Sequence, residues 1–255
     1  MAPIADQFAP FEWQAILGAS FIRSSSTSLH YNMAGGTIAP RKGSLTADGI
    51  SPLTEMRIQH DLGLRIHTEK QDEFSASMFF TSRKDAIDLS GKTVTTGNNL
   101  LMELYENLDK RSYGLEMSAK ITIPFLHSGL FANALFMKGE KESVGKMMKD
   151  RQLPQIILNG GFNFQYAGFD ANLYVNYTGR YWNNRFVNPA WVKQNGDFPL
   201  GNFVSADWSC GYTFSGKLKT RIFAEVKNIL DQKYMTVAGY PEPGRLLSVG
   251  MKLFF

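Results

Sequence analysis

The residue types best suited to binding chemistry gather in residues 179–202, "GRYWNNRFVNPAWVKQNGDFPLGN". Arg180, Tyr181, Trp182, Arg185 and Trp191 combine two guanidinium groups with three aromatic rings, and amides stand between them. Such a mixture suits an anionic, aromatic ligand: rings stack on it, and guanidinium forks make charge-assisted hydrogen bonds to it. A mechanical explanation competes. Tyr and Trp collect wherever a strand leaves a membrane, so Tyr181 and Trp182 are also accounted for as interface residues.

Other constellations carry less. Lys138, Lys141, Lys146, Lys149 and Arg151 form a basic loop, which solvation or contact with anionic lipopolysaccharide explains before ligand capture does. Within it, "GEKESVGK" imitates a phosphate-binding loop. Its spacing is one residue too long, and Met147 stands where a magnesium-holding Ser or Thr belongs. The four histidines, His30, His60, His67 and His127, are scattered and form no metal cluster. His60 and Asp61 are adjacent on a strand, point to opposite faces and cannot act as a dyad. No nucleophile, base and orienting group assemble, so no catalytic residue, metal or cofactor is expected. "NYT" at 176–178 lies in a strand and is set aside as a glycosylation acceptor. Cys210 is the single cysteine, so no intramolecular disulfide forms. The net charge is +4, but the Lys and Arg residues form no stripe, and nucleic acid is not an expected partner.

The elements that position these residues are strands. The last residues read "GYPEPGRLLSVGMKLFF". Leu247, Val249, Met251, Leu253 and Phe255 share one face, against Ser248, Gly250 and Lys252 on the other. The same period of two runs through Val204, Ala206, Trp208, Cys210, Tyr212 and Phe214, through Phe169, Ala171, Leu173, Val175 and Tyr177, and through Tyr113, Leu115, Met117, Ala119, Ile121 and Ile123. We read ten strands, beginning with residues 11–23. Their short connections are 67–72, 124–128, 167–168 and 215–217. The long ones are 24–56, 82–99, 139–154, 179–202 and 230–244. Short turns at one end and long loops at the other are the pattern of an outer-membrane barrel. Tyr166, Trp208, Tyr212, Phe214 and Phe255 fall on the oily faces as an interfacial girdle. The hydrophobic share of 44% and aromatic share of 13% exclude a disordered chain. No apolar run is long enough for a transmembrane helix. The amino-terminal "MAPIADQFAPFEW" lacks the charged and apolar regions of a secretory signal. The fold expected is all-β, an antiparallel transmembrane barrel.

Four stretches resemble the barrel motifs of the TonB-dependent outer-membrane receptors, in the same order. They are "HDLGLRI" (60–66), "SMFFTSRKDAI" (77–87), "YENLDKRSYGLEMSA" (105–119) and "FAEVKNILDQKYMTVAGYPEPGRLLSVGMKLFF" (223–255). The last is the most specific, with Asn228, Asp231, Tyr234, Pro243, Gly244, Arg245 and a terminal aromatic. The resemblance spans roughly residues 50–255. It implies a 22-stranded barrel around a plug. It also implies uptake of a scarce ligand, most often a ferric siderophore, with haem, cobalamin or sugars as other cargoes, driven by TonB. Its final strand resembles the signal read by the outer-membrane assembly machinery.

Against that family, the sequence shows no signal peptide, TonB-contacting box or plug, and about ten of the implied strands. The expectation is therefore that residues 1–255 are the C-terminal part of a receptor barrel in the bacterial outer membrane. Lipid and lipopolysaccharide surround it, and TonB is a partner of the full-length protein alone. The alternative is a self-contained ten-stranded pore or structural barrel.

Overall fold

The computed structural model describes residues 12–70, 72–95, 97–99, 101–183, 198–216 and 218–254. Nearly all of it is antiparallel strand. In chain order the strands are β1 (Gln14–Ser24), β2 (Thr27–Ile38), β3 (Glu55–His67), β4 (Glu73–Thr95), β5 (Leu101–Ile123), β6 (Ser128–Ser143), β7 (Lys146–Lys149), β8 (Ile156–Tyr166), β9 (Phe169–Thr178), β10 (Tyr181–Asn183), β11 (Phe198–Leu200), β12 (Phe203–Phe214), β13 (Lys219–Lys227), β14 (Met235–Val237), β15 (Tyr240–Pro241) and β16 (Leu246–Phe254). One 3₁₀ turn, Pro124–Leu126, joins β5 to β6. The main sheet runs β1-β2-β3-β4-β5-β6-β8-β9-β12-β13-β16, with β7 hairpinned onto β6. β10 with β11, and β14 with β15, form small ladders in the connections.

The register aligns one oily face across the whole sheet. Met251 on β16 pairs with Ile222 on β13, and Ile222 with Tyr212 on β12. The row continues through Phe169 to Tyr166. Further along the sheet, Phe136, Leu115, Met78, Leu62 and Tyr31 stand in one line. These residues are largely uncovered: Leu247 and Val249 are each 71% exposed. A single sheet has no second layer to bury such a face, and lipid is the solvent that suits it. The buried apolar side chains are few, among them Ala86, Leu104, Leu200, Phe203 and Ala238. They lie at the long-loop end, where loops fold over the sheet.

The opposite face is polar, and its aromatics lie over glycines. Phe79 covers Gly114, Phe131 covers Gly161 and Phe223 covers Gly250, each pair directly cross-strand. A Cβ on Gly161 would stand 2.5 Å from both the Leu173 carbonyl oxygen and the Phe131 ring. A carbonyl in a ladder cannot move aside, so the β8–β9 pairing has to give. Gly161→Ala is expected to destabilise the folded chain by about 1–3 kcal/mol. The comparison is urea unfolding in detergent against Gly216→Ala, whose Cβ would meet only the Leu218 oxygen at 3.9 Å.

Three differences from the sequence expectation concern the strands. Residues 27–38, read as loop, form β2, which hairpins onto β1 across Ser24 and Thr27. The main path therefore has eleven strands rather than ten, and β1 runs in the opposite sense to the one expected. Second, β4 and β5 continue to Thr95 and from Leu101, so much of 82–99 is a tall hairpin rather than a loop. Bulges at Arg83/Ala86 and Leu89/Thr93 absorb its irregular residues. Third, the basic segment is mostly β6, a tight turn and β7.

The sheet does not close on itself. β1 and β16 are its two edges. Both run toward the short-turn end, so joining them would make a parallel pair in a sheet whose ladders are all antiparallel. The self-contained barrel envisaged as the alternative is not what the chain forms.

Candidate functional site

The long connections gather at one end of the sheet, and there the polar face becomes strongly charged. Arg57 on β3 pairs with Arg83 on β4, Arg83 with Lys110 on β5, and Lys110 with Lys141 on β6. Four cations thus share one rung across four strands. Like charges directly opposite one another are unfavourable, so acids are built in among them. Glu55, two residues from Arg57, is 2% exposed. It accepts from Arg83 Nε and a terminal guanidinium nitrogen, both at 2.7 Å, and from Arg57 at 3.3 Å. Asp88 takes Lys110 at 2.7 Å. Burial pushes the Glu55 carboxyl up, but Arg83, Arg57 and the Ile87 amide outweigh it and hold the group below its ordinary value. The bond to Glu55 keeps Arg83 firmly protonated.

Beside this rung lies a cavity of about 360 Å³, lined by Arg83, Asp88, Lys110, Asp150, Gln152 and Leu153 among others. Its walls are mixed in charge and suit a small polar group rather than an apolar one. Among the described residues no cluster of His, Cys, Asp and Glu could hold a metal ion.

Of the residues singled out in 179–202, Tyr181 and Trp182 are braced against the protein's own loops. Trp182 donates its amide to the Arg151 carbonyl at 2.8 Å, and the Arg151 guanidinium lies 4.1 Å above its ring. The Tyr181 hydroxyl donates to the Thr236 carbonyl at 2.8 Å, and burial raises its pKa. Arg180 is exposed beside them. Arg185 and Trp191 lie outside the described residues.

The girdle residues divide. Tyr166, Tyr212 and Phe214 stand on the oily face at the short-turn end, with Phe214 edge-on to Tyr212 at 4.7 Å. Trp208 is on the same face but in the middle of β12, opposite Val226 and Leu173. Phe255 lies outside the described residues. His60 is also on the oily face, where Tyr31 Oη lies 2.7 Å from its Nδ1.

The C-terminal motif is a loop anchor. Asn228, in a left-handed conformation and 5% exposed, receives the Gln232 amide at 3.0 Å and donates to the Gln232 and Pro243 carbonyls at 2.9 and 3.3 Å. Asp231 accepts the Arg245 amide at 2.9 Å, and Tyr234 stacks on Phe203 at 3.9 Å. These residues fold 228–245 back onto the sheet. The charged rung was not anticipated from sequence. Its signal was present in the cations on the polar side of each strand's own alternation, Arg57, Arg83, Lys110 and Lys141, but only the register shows that they meet.

A single antiparallel ladder of long strands, oily on one side and polar on the other, is the wall of a membrane β-barrel. A family model described as TonB dependent receptor-like, beta-barrel matches residues 10–229, and the chain belongs to that family. The match ends ahead of most of the C-terminal motif. Members are outer-membrane receptors that transport, not enzymes. No curated protein matches the sequence. Similar solved structures include the copper transporter OprC, with a TM-score of 0.72 and 18% identity over 94% of this chain and 39% of that one. FpvA of P. aeruginosa, bound to a heterologous pyoverdine and iron, gives a TM-score of 0.70 and 14% identity over 92% of this chain and 32% of its own. The ferric citrate transporter FecA, in its unliganded form, gives 0.70 and 17% over 94% and 38%. At such identities the likeness is one of fold. The chain spans about a third to two fifths of the length of these structures.

Proposed function

We propose that residues 1–255 form the C-terminal part of the barrel wall of an outer-membrane TonB-dependent receptor whose cargo is an anionic metal chelate, a ferric siderophore above all. The observation that carries this reading is the rung Arg57, Arg83, Lys110 and Lys141 on the polar face at the long-loop end. A wet lumen lined there by cations attracts an anionic solute and concentrates it. Arg180, Tyr181, Trp182, Arg185 and Trp191, all in residues 179–202, are the candidate ligand contacts. The similar structures, a receptor bound to iron and pyoverdine, a ferric citrate transporter and a copper transporter, support a metal cargo. In the full-length protein TonB drives release, and the final strand serves insertion by the assembly machinery.

The test is in-frame removal of residues 1–255 in the source bacterium. Growth on one anionic ferric chelate as sole iron source should be lost while growth on ferrous iron persists. Unchanged growth on every ferric chelate, or recovery of the protein outside the outer membrane, would overturn the proposal.

A further inference from the structure

The cavity beside the charged rung has a roof. Between β7 and β8, residues 150–155 run along the edge of β6 as a strap pinned at both ends. The Asp150 amide donates to the Gly139 carbonyl at 2.8 Å, and the Met137 amide donates to the Gln155 carbonyl at 2.9 Å. Between these pins the strap leans over the polar face. A Cβ on Gly139 would stand 2.8 Å from Leu153 Cδ1 and 3.2 Å from Asp150 Cβ, so Leu153 lies over that glycine. Gly139 is the cross-strand neighbour of Ser112, and the next pair on the same face is Lys110 with Lys141. Arg83, Asp88, Lys110 and Ser112 therefore form the floor of the cavity, and Asp150, Gln152 and Leu153 cover it. The strap also holds Trp182, through the Arg151 carbonyl and guanidinium.

Two properties decide what fits beneath the strap. The volume of about 360 Å³ lies at the small end of the roughly 300–1,000 Å³ usual for ligand sites. It has room for one arm of a multidentate chelate and not for the whole. Among the described residues no aromatic ring lines it, so a flat aromatic group finds nothing to stack on. The acids in the lining are each engaged: Asp88 with Lys110, Glu140 with Lys138, and Asp150 with the Gln152 amide at 3.0 Å. A guanidinium and an ammonium carry further N–H donors beyond those that Glu55 takes from Arg83 and Asp88 takes from Lys110.

We propose that this cavity takes a compact aliphatic carboxylate arm of the cargo, and that Leu153 sets how large the arm can be. The oxygens of the arm meet Arg83, Lys110 and the Ser112 hydroxyl. Its carbon atoms meet Leu153 and Ile87, the two aliphatic side chains of the lining. The rest of the chelate stays outside, beside the strap and Trp182. The inference rests on the anionic-cargo reading above and narrows it to chelates that keep a free, non-aromatic carboxylate.

The test uses the full chain refolded in detergent and titration calorimetry with two probes of equal charge. Tricarballylate is a flexible aliphatic tricarboxylate, and trimesate holds the same groups on a rigid benzene ring. Wild type should bind tricarballylate at least about tenfold more tightly, because a closely packed site resists added volume. Leu153→Ala should admit trimesate and remove most of that preference. Ser112→Ala should weaken tricarballylate about threefold to tenfold, the effect of one lost hydrogen bond, and leave the preference in place. If the alanine variant does not refold, Leu153→Val makes a milder cut and should shift the preference the same way. A preference unchanged in the Leu153 variant overturns the role of the roof, and absence of saturable tricarballylate binding by wild type overturns the site. Binding is read on the purified chain and cargo on growth, so the two readings fail separately. Growth on a ferric chelate that still depends on residues 1–255, without tricarballylate binding, would sink this inference and leave the proposed function standing.

Discussion

Glu55→Leu is expected to lower the stability of the folded chain by about 3–5 kcal/mol, because it leaves half-buried cations without their counter-ion. Arg83 sits between Arg57 and Lys110 on one rung, and Glu55 is the acid that accepts from its Nε and one terminal nitrogen. Without that carboxylate three cations face one another, with Asp88 on Lys110 as the nearest acid. Removing the partner as well should recover most of the loss: Glu55→Leu with Arg83→Leu replaces a buried pair by apolar volume, which is often close to neutral. Urea unfolding of the three variants measures this, and a double variant no better than the single one would refute it. The same group predicts a pH dependence. Its pKa is lower in the folded chain than its ordinary value of 4.5. Its contribution is therefore complete above about pH 4.5 and is lost as pH falls through the lowered folded value. Glu55→Gln should flatten the stability profile in that acid range and nowhere above it.

The energetic cost of this arrangement has a functional side. A rung of like charges is held together by buried acids, where apolar residues would have given a cheaper wall. Such a feature is consistent with a lumen that must present positive potential to a solute while keeping its own strands paired.

How much of this was legible in the sequence depends on the element. Strands with clean alternation, such as Val204 to Phe214, were read correctly because one face meets lipid and is apolar from end to end. β2 escaped because its oily face is Leu29, Tyr31 and Met33 between glycines and serines, and because the Ser24, Ser25, Ser26 run suggested a loop. It is instead a tight turn, with Ser24 Oγ accepting the Ser26 amide at 3.3 Å. Missing one strand reversed the sense of β1, since every hairpin inverts direction. The upper parts of β4 and β5 escaped for another reason. Beyond the membrane both faces are wet, the period of two loses its cause, and bulges at Asp85 and Gly91 break what remains. The same loss of pattern hid the charged rung, which exists only once four strands are in register. The contacts of Tyr181 and Trp182 were equally out of reach, because they join loops far apart in sequence.

Asn228→Ala should detach the last long connection from the sheet. The side chain satisfies one amide and two carbonyls, from Gln232 and Pro243. Alanine can satisfy none, and each polar group stranded in a buried position costs about 1–3 kcal/mol, so a total of about 3–5 kcal/mol is expected. The backbone adds to it: Asn228 has φ of +49°, a region that Asn tolerates better than Ala. Asn228→Gly relieves the backbone and still removes the bonds, so it should recover only a small part. The damage should be local. Ile229 donates to the Ala206 carbonyl and Asn228 to Asp207 through backbone amides that the substitution leaves in place, so β13 should stay paired with β12. Limited proteolysis in detergent should then cut within residues 229–244 in the variant and not in the wild type, with the rest of the sheet protected. Uniform loss of protection would show that the anchor holds the sheet and not just its loop. An unchanged cleavage pattern would show that Asp231 and the Tyr234–Phe203 stack hold the loop alone.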